Sequence, residues 1–553
     1  MRRKRWLAFA MLAAGAGLLA AARFVGAAGA AAPAKHGGIL RYGTTGWSIP
    51  VDPQVAWITT AWWLEYATAA KLYNYPDERG PAGSVLRPEV ASGFTVSNGG
   101  RTYTFTIRKG FRFSDGTPVT AANFAYAIDR AANHYLPSPA AQFIADPNGT
   151  EIVGAVRVNQ GYARHVSGVV VKADRLIIHL VRADGSFLSK ITMPFFQATS
   201  TKLPLREEVT GPYPSAGPYF YTRNDVNLLT SIRRNPYWKR GPGRMRPRNL
   251  TGVNVLWNQD ENTLFNEVQA GQLDEDPGLP PAQVQGVADQ YGVNKTRFWT
   301  EPENCTGYLP MNMANHLFKN NLPLRQAINY AIDRRAYIGV GGPYAGSPWT
   351  HIFNPGVPGW RDVRLYRHNR AKARQLAAGH MRDGKITVYY HPNGTAGPAQ
   401  AQIVRQELID IGFEPDKITM KGDYAELYDP LGVRGNDADL AVSRGWCSDY
   451  PDPYDWLNVL FDGTFIQAEN NVNVSYMDLP KWNRKFEAAA RLVGPRRFRV
   501  YGQLDLDLMR QVAPVAVERT YNNRYLFSGR VDPRSLVYQG IYQDWSIPAL
   551  ALR

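Results

Sequence analysis

Gly445-Trp446-Cys447-Ser448-Asp449-Tyr450-Pro451-Asp452-Pro453-Tyr454-Asp455-Trp456 gathers four aromatic residues, three aspartates, two prolines and one of the chain's two cysteines into twelve positions. A solvated surface loop needs no such mixture. Aromatic walls exclude water and strengthen a charge interaction beside them, and the prolines hold the backbone extended, so a carboxylate such as Asp449 is presented to a cationic ligand in fixed geometry. The stretch reads as a recognition loop, with a thiol beside it.

Outward from this loop, strands and helices alternate. Tyr103, Phe105 and Ile107 alternate with Thr102, Thr104 and Thr106, the period of a half-buried strand. Ser114-Asp115-Gly116 turns the chain, and Thr120 caps a predicted helix with Phe124, Ala127, Ile128 and Ala131 on one face. Further strands are predicted at 37–42, 168–171, 176–180, 253–257, 305–313, 385–390 and 438–442. Helices are predicted around Trp62-Trp63 and over 187–195, 262–270, 324–338 and 399–411. Pro/Gly-rich breaks at 76–88 and 212–218 mark candidate junctions. No fixed-period repeat is present, and the alternation favours α/β units with partly parallel sheets.

At 553 residues the chain is long enough for several structural units, and its 44% apolar and 20% charged composition is that of a soluble globular protein. Arg2, Arg3, Lys4 and Arg5 precede an apolar run over 7–22 and small residues through Ala34, the layout of a secretory signal over 1–32. An uncleaved membrane anchor is the alternative, although Arg23 stops the run short of a full span. No cysteine lies there for lipid attachment. Residues 1–32 carry five positive and no negative charges, so export lowers the formal +16 to +11. The remaining Lys and Arg are scattered, which gives a basic surface but no nucleic-acid footprint. Cys305 and Cys447, 142 positions apart, either pair in an oxidising compartment or stay as buried thiols. Nine histidines form neither His-Glu-x-x-His nor His-x-His, and Gly-x-Ser-x-Gly and the phosphate-loop spacings are missing, so no metal, cofactor or catalytic residue is expected.

Five segments, in order, resemble the family 5 extracellular solute-binding proteins, the peptide- and nickel-binding components of ABC importers. They are Tyr103–Gly110 with Phe113–Ala121, Ser215–Tyr219, Arg234–Trp238, Leu324–Arg334, and the Gly445-Trp446 loop itself. The resemblance implies a periplasmic binding protein-like α/β fold of the cluster C type, two large lobes with a hinge plus a smaller inserted domain. The first lobe would comprise 37–80, 205–304 and 520–553, the inserted domain 81–204, and the second lobe 305–519, with hinge crossings near 305–313 and 515–521. It also implies an exported, monomeric receptor in the periplasm or cell envelope that hands a peptide or other amine-bearing solute to an ABC permease, without catalysis.

By the same resemblance Asp449 would pair with a ligand ammonium, Trp446 and Tyr450 would wall the pocket, Thr45 and Trp47 would line the cleft, and Cys305 and Cys447 would be bonded. Asp449 as a cap that orients its own loop, and Trp47 packed on its own lobe, remain open. For Asp452 and Asp455, turn and helix capping is the plainer role. An oligosaccharide receptor of the same fold, favoured by 14 Trp and 30 Tyr, and an envelope hydrolase are the alternative functions.

Overall fold

Two strands of 13 residues, Phe298–Pro310 and Val515–Phe527, set the frame of the molecule. They pair antiparallel along their length, from Phe298 opposite Leu526 to Pro310 opposite Val515, with register shifts between Pro302 and Thr306 and between Gly307 and Tyr308. A shifted register bends a ladder locally without ending it. In this computed structural model, which describes residues 37–46, 48, 50–146, 149–239, 246–392, 396–422 and 430–553, the pair belongs to a sheet of nine strands. The expected signal segment and Trp47 lie outside the described residues.

To one side of the pair the sheet continues through Glu275–Asp276, Ile39–Gly43, Gly252–Leu256, Leu229–Arg234 and Tyr219–Asp225. Ile39–Gly43 and Gly252–Leu256 run parallel, and Leu40, Tyr42, Val253 and Val255 enter a core with Trp63, Tyr525 and Trp545. On the other side Arg444–Cys447 forms the edge strand. Gly445 stands opposite Gly307 there, and a Cβ on Gly445 would lie 2.8 Å from the Thr306 carbonyl oxygen, so the close approach of the two strands requires glycine.

A second core surrounds the parallel strands Ile418–Gly422, Ile386–Tyr390 and Leu440–Ala441. The helices Leu322–Ala331 and Ala396–Ile411 supply Ile328, Val404 and Leu408 to it, and the long pair supplies Leu309 and Ala516. A four-stranded antiparallel sheet, ordered Ala91–Ser97, Thr102–Ile107, Arg175–His179 and Val169–Lys172, makes the third unit. Helix Ala121–Ala131 covers it with Phe124 and Ile128, and the Thr120 amide donates to the Asn123 side chain at 2.8 Å to cap the first turn. Its apolar cluster continues without a break into Trp446, Tyr450 and Trp456 and onto Tyr308 and Val517 of the long pair. The long pair thus contributes side chains to all three cores.

The structure departs from the sequence pattern in three places. The helix expected over 187–195 is a single turn, Phe187–Lys190, followed by a 3-10 turn at Pro194–Phe196, because Pro194 forces Met193 into extended backbone. The helix expected over 324–338 is two, Leu322–Ala331 and Arg334–Gly339, since the Asp333 carboxylate caps the second by accepting from the Arg335 and Ala336 amides. The strand expected from Cys305 begins at Phe298, its polar first half being only partly buried.

A buried ion pair ties the third unit to the loop that precedes helix Thr59–Thr68. Asp52, in the loop before helix Thr59–Thr68, pairs with Arg130 of helix Ala121–Ala131, and both side chains are wholly buried. Asp52 also accepts from the Gln54 and Val209 amides at 2.9 Å, and Arg130 donates to Gln54 at 2.8 Å. Asp52→Ala strands the guanidinium, and denaturant melts are expected to show a loss of about 3–5 kcal/mol, much of it recovered in the Asp52→Ala/Arg130→Met double variant.

Candidate functional site

The Gly-Trp loop runs from the edge strand Arg444–Cys447 into helix Tyr454–Phe461, and two of its three aspartates hold it in shape. Asp452 accepts from Arg497 (2.7 Å to Nη2, 3.2 Å to Nε), an almost fully buried pair, and from the Tyr454 amide at 2.9 Å. Asp455, wholly buried, accepts from the Asp449 amide at 2.8 Å. With these anchors in place, the side chain of Asp449 projects from the loop toward Trp57.

Across the gap the Trp57 indole donates from Nε1 to Asp449 Oδ1 at 2.9 Å. Asp449 Oδ2 is buried and has no hydrogen-bond partner among the described residues. Burial pushes the Asp449 carboxyl up to about 7, and the Trp57 hydrogen bond opposes that rise. Asp455 is also raised, first by burial and then by the charge of Asp449, so the two carboxyls titrate as a coupled pair. Two oxygens of the pair, Asp449 Oδ2 and Asp455 Oδ1, are buried without a hydrogen-bond partner among the described residues, an unfavourable state that a cation with N–H donors relieves.

Aromatic rings from three parts of the chain enclose this carboxylate. Trp57 meets Trp446 edge-on at 6.4 Å and Phe143 edge-on at 6.2 Å, and Phe143 meets Tyr450 at 6.1 Å. Trp446 and Tyr450 are both buried. Tyr450 lies on the side of the third unit, where the Lys190 ammonium stands 4.0 Å from the Tyr454 ring centroid and 5.8 Å from that of Tyr450. Thr45 is exposed in the turn after Ile39–Gly43 and is not a hydrogen-bond partner of Asp449. Trp57, Phe143 and Lys190 were not legible from the sequence. Trp57 stands between Ala56 and Ile58 with no motif around it, and only its indole N–H, a donor that needs an acceptor when buried, hinted at a role.

The sulfurs of Cys305 and Cys447 are bonded, and the two residues face each other directly across the strands Phe298–Pro310 and Arg444–Cys447, with Cα atoms 4.0 Å apart. The bond fastens the start of the recognition loop to the long pair. The Glu303 carboxylate lies within 4.8 Å of both sulfurs. Glu303 lines a cavity of about 440 Å³ beside the long pair, together with Arg444, Arg519, Tyr521, Arg524 and His391. Burial pushes Glu303 up to about 7 against the pull of Arg519 and Arg524. The Arg519 guanidinium sits 4.3 Å above the Tyr521 ring, and Arg524 Nη1 donates to the Gly341 carbonyl at 2.6 Å. This cavity has a cationic wall, whereas the loop offers an anionic group.

Residues 85–467 match the family described as bacterial extracellular solute-binding proteins, family 5 middle. The chain belongs to that family. It is 24% identical to the glutathione-binding protein GsiB of Salmonella paratyphi A over 329 residues, 59% of each chain, and 25% identical to GsiB of Escherichia coli K12 over 346 residues, 61% of each. The matched region therefore spans less than two thirds of these relatives. Among solved structures, the fold matches clavulanic acid biosynthesis oligopeptide binding protein 2 with a TM-score of 0.81 at 23% identity, covering 94% of this chain and 96% of that one. The murein tripeptide binding protein MppA of Escherichia coli matches with a TM-score of 0.75 at 21% identity over 94% and 98%. These likenesses show the fold, a periplasmic binding protein-like α/β fold. No described helix is long and apolar enough to cross a membrane.

Two outcomes follow from this geometry. Trp57→Phe removes the one N–H that favours the ionised form of Asp449, so its midpoint, followed by carboxyl ¹³C NMR, is expected to move upward. Replacing Cys305 and Cys447 together by serine frees a loop of 142 positions, and denaturant melts are expected to show a loss of about 3–5 kcal/mol.

Proposed function

We propose that this protein is the exported receptor of an ABC importer and closes over a peptide or other amine-bearing solute. The observation that carries the reading is the buried, unpartnered Oδ2 of Asp449, held inside a cage of aromatic rings. An α-ammonium placed there gains a charge-assisted hydrogen bond and restores the carboxylate to its ionised form. A neutral sugar in the same place leaves the charge unpaired. The names of the relatives, a glutathione-binding protein and oligopeptide- and tripeptide-binding proteins, support a peptide.

Arg519 and Arg524, in the cavity beside the long pair, supply the complementary charge for a ligand carboxylate. The lobe boundaries that fit this reading are 37–80, 205–304 and 520–553 for the first, 305–519 for the second and 81–204 for the insert. Asp449 belongs to the second lobe, Trp57 to the first and Phe143 to the insert. A ligand that contacts all three favours the closed arrangement, and a permease that recognises this arrangement receives loaded protein. Nothing in this cycle asks the receptor for catalysis, and a single chain suffices for it.

Asp449→Asn tests the reading. Removing one partner of a buried charge pair costs about 3–5 kcal/mol, more than about a hundredfold in Kd for a peptide with a free amino terminus. The same peptide N-acetylated is expected to bind weakly to both proteins and to show little difference between them. Equal binding of the free-amine peptide by both proteins contradicts the assignment.

A further inference from the structure

A second cavity, of about 530 Å³, lies between the third unit and the second lobe, on the other side of Phe143 from Trp57. Its size falls within the range of about 300–1,000 Å³ that small-molecule sites occupy. Its lining is distinctive in kind. The third unit contributes the side-chain carboxamides of Asn159 and Gln160, and the second lobe those of Gln467 and Asn470, and none of the four makes a side-chain hydrogen bond among the described residues. Between them stand the rings of Phe143, Tyr454 and Phe465.

The charged groups on its wall are already engaged. Lys190, almost wholly buried, donates to Asp184 at 3.0 Å and to Thr150, and its ammonium rests over the Tyr454 ring. Asp146 has an interaction within the protein as well. A charged ligand therefore finds no free counter-charge here. Each carboxamide offers a donor and an acceptor side by side, which matches the adjacent hydroxyls of a sugar, while the half-buried ring of Phe465 takes the apolar C–H surface of a pyranose, Phe143 and Tyr454 being buried beneath.

We propose that this cavity is a second binding site and that it takes a neutral saccharide. The site is separate from the Asp449 cage, although Phe143 serves both. Because the occupant touches the third unit and the second lobe together, it favours the arrangement in which they are closed on each other. By linkage it then strengthens binding at Asp449, and the ligand at Asp449 strengthens binding here. That coupling rests on the function proposed above; the second site itself does not.

The test is saturation-transfer NMR and titration of the full mature chain with glucose, maltose, N-acetylglucosamine and its β-1,4-linked dimer. Three proteins are compared: the wild type, Gln160→Ala/Gln467→Ala, and Asp449→Asn. Gln160 and Gln467 are exposed, so the double variant is expected to melt with the wild type. The proposal expects at least one of the four sugars to bind the wild type, to bind Asp449→Asn with unchanged affinity, and to bind the double variant at least tenfold more weakly. It is overturned if none of the four binds the wild type. It is equally overturned if sugar binding survives in the double variant or is lost in Asp449→Asn, which would place the sugar in the main cleft. Loss of peptide binding by Asp449→Asn with sugar binding intact leaves both readings standing, whereas intact peptide binding there fails only the function proposed above.

Discussion

The antiparallel pairing of Phe298–Pro310 with Val515–Phe527 is the constraint on which the remaining structure depends. Two chains that cross together from one core to another form a mechanical link of fixed length, and the register shifts near Pro302–Thr306 and Gly307–Tyr308 mark where the ladder bends. One end is fixed by Tyr525 in the core around Trp63 and Trp545, the other by Leu309 and Ala516 in the core around Ile328 and Val404. The edge strand Arg444–Cys447 attaches to this link by its ladder and by the disulfide, so the position of Asp449 is set by the hinge itself and not by a free loop.

The three aspartates of the Gly-Trp loop differ in what they touch. Asp452 and Asp455 shape the loop through Arg497 and the Asp449 amide, while Asp449 reaches Trp57; one oxygen each of Asp449 and Asp455 has no hydrogen-bond partner among the described residues. Desolvation raises its affinity for a proton to about pH 7, so in the absence of a cation the carboxyl near neutrality is divided between its two forms. A cation must displace that proton. In the proposed function, ligand binding is therefore coupled to pH through this one side chain.

Much of the architecture was legible in the sequence because its signals are local. The threonine alternation of Thr102–Ile107, the Thr120 cap and the Gly-Trp loop need only neighbours a few positions away to be read. Helix ends decided by one residue, Pro194 and Asp333, were misplaced because apolar periodicity runs across them. The polar first half of Phe298–Pro310 was missed because half-buried strand carries a weak pattern. Within the site, the loop announced itself by composition. Its partner Trp57 did not, since a contact between residues 392 positions apart leaves no local mark. Trp47 and Thr45 came from family resemblance alone; Trp47 lies outside the described residues, and Thr45 is exposed.

The most direct measurement is the number of protons exchanged on binding. It is obtained by isothermal titration calorimetry of a free-amine peptide at pH 6 in buffers of different ionisation enthalpy. With burial holding the Asp449 carboxyl up at about 7 in the free protein and the ammonium ionising it in the complex, protons are released on binding. Net proton release, absent for Asp449→Asn, is what a desolvated carboxylate waiting for an ammonium requires. Binding of the peptide with no proton release at pH 6 would contradict it.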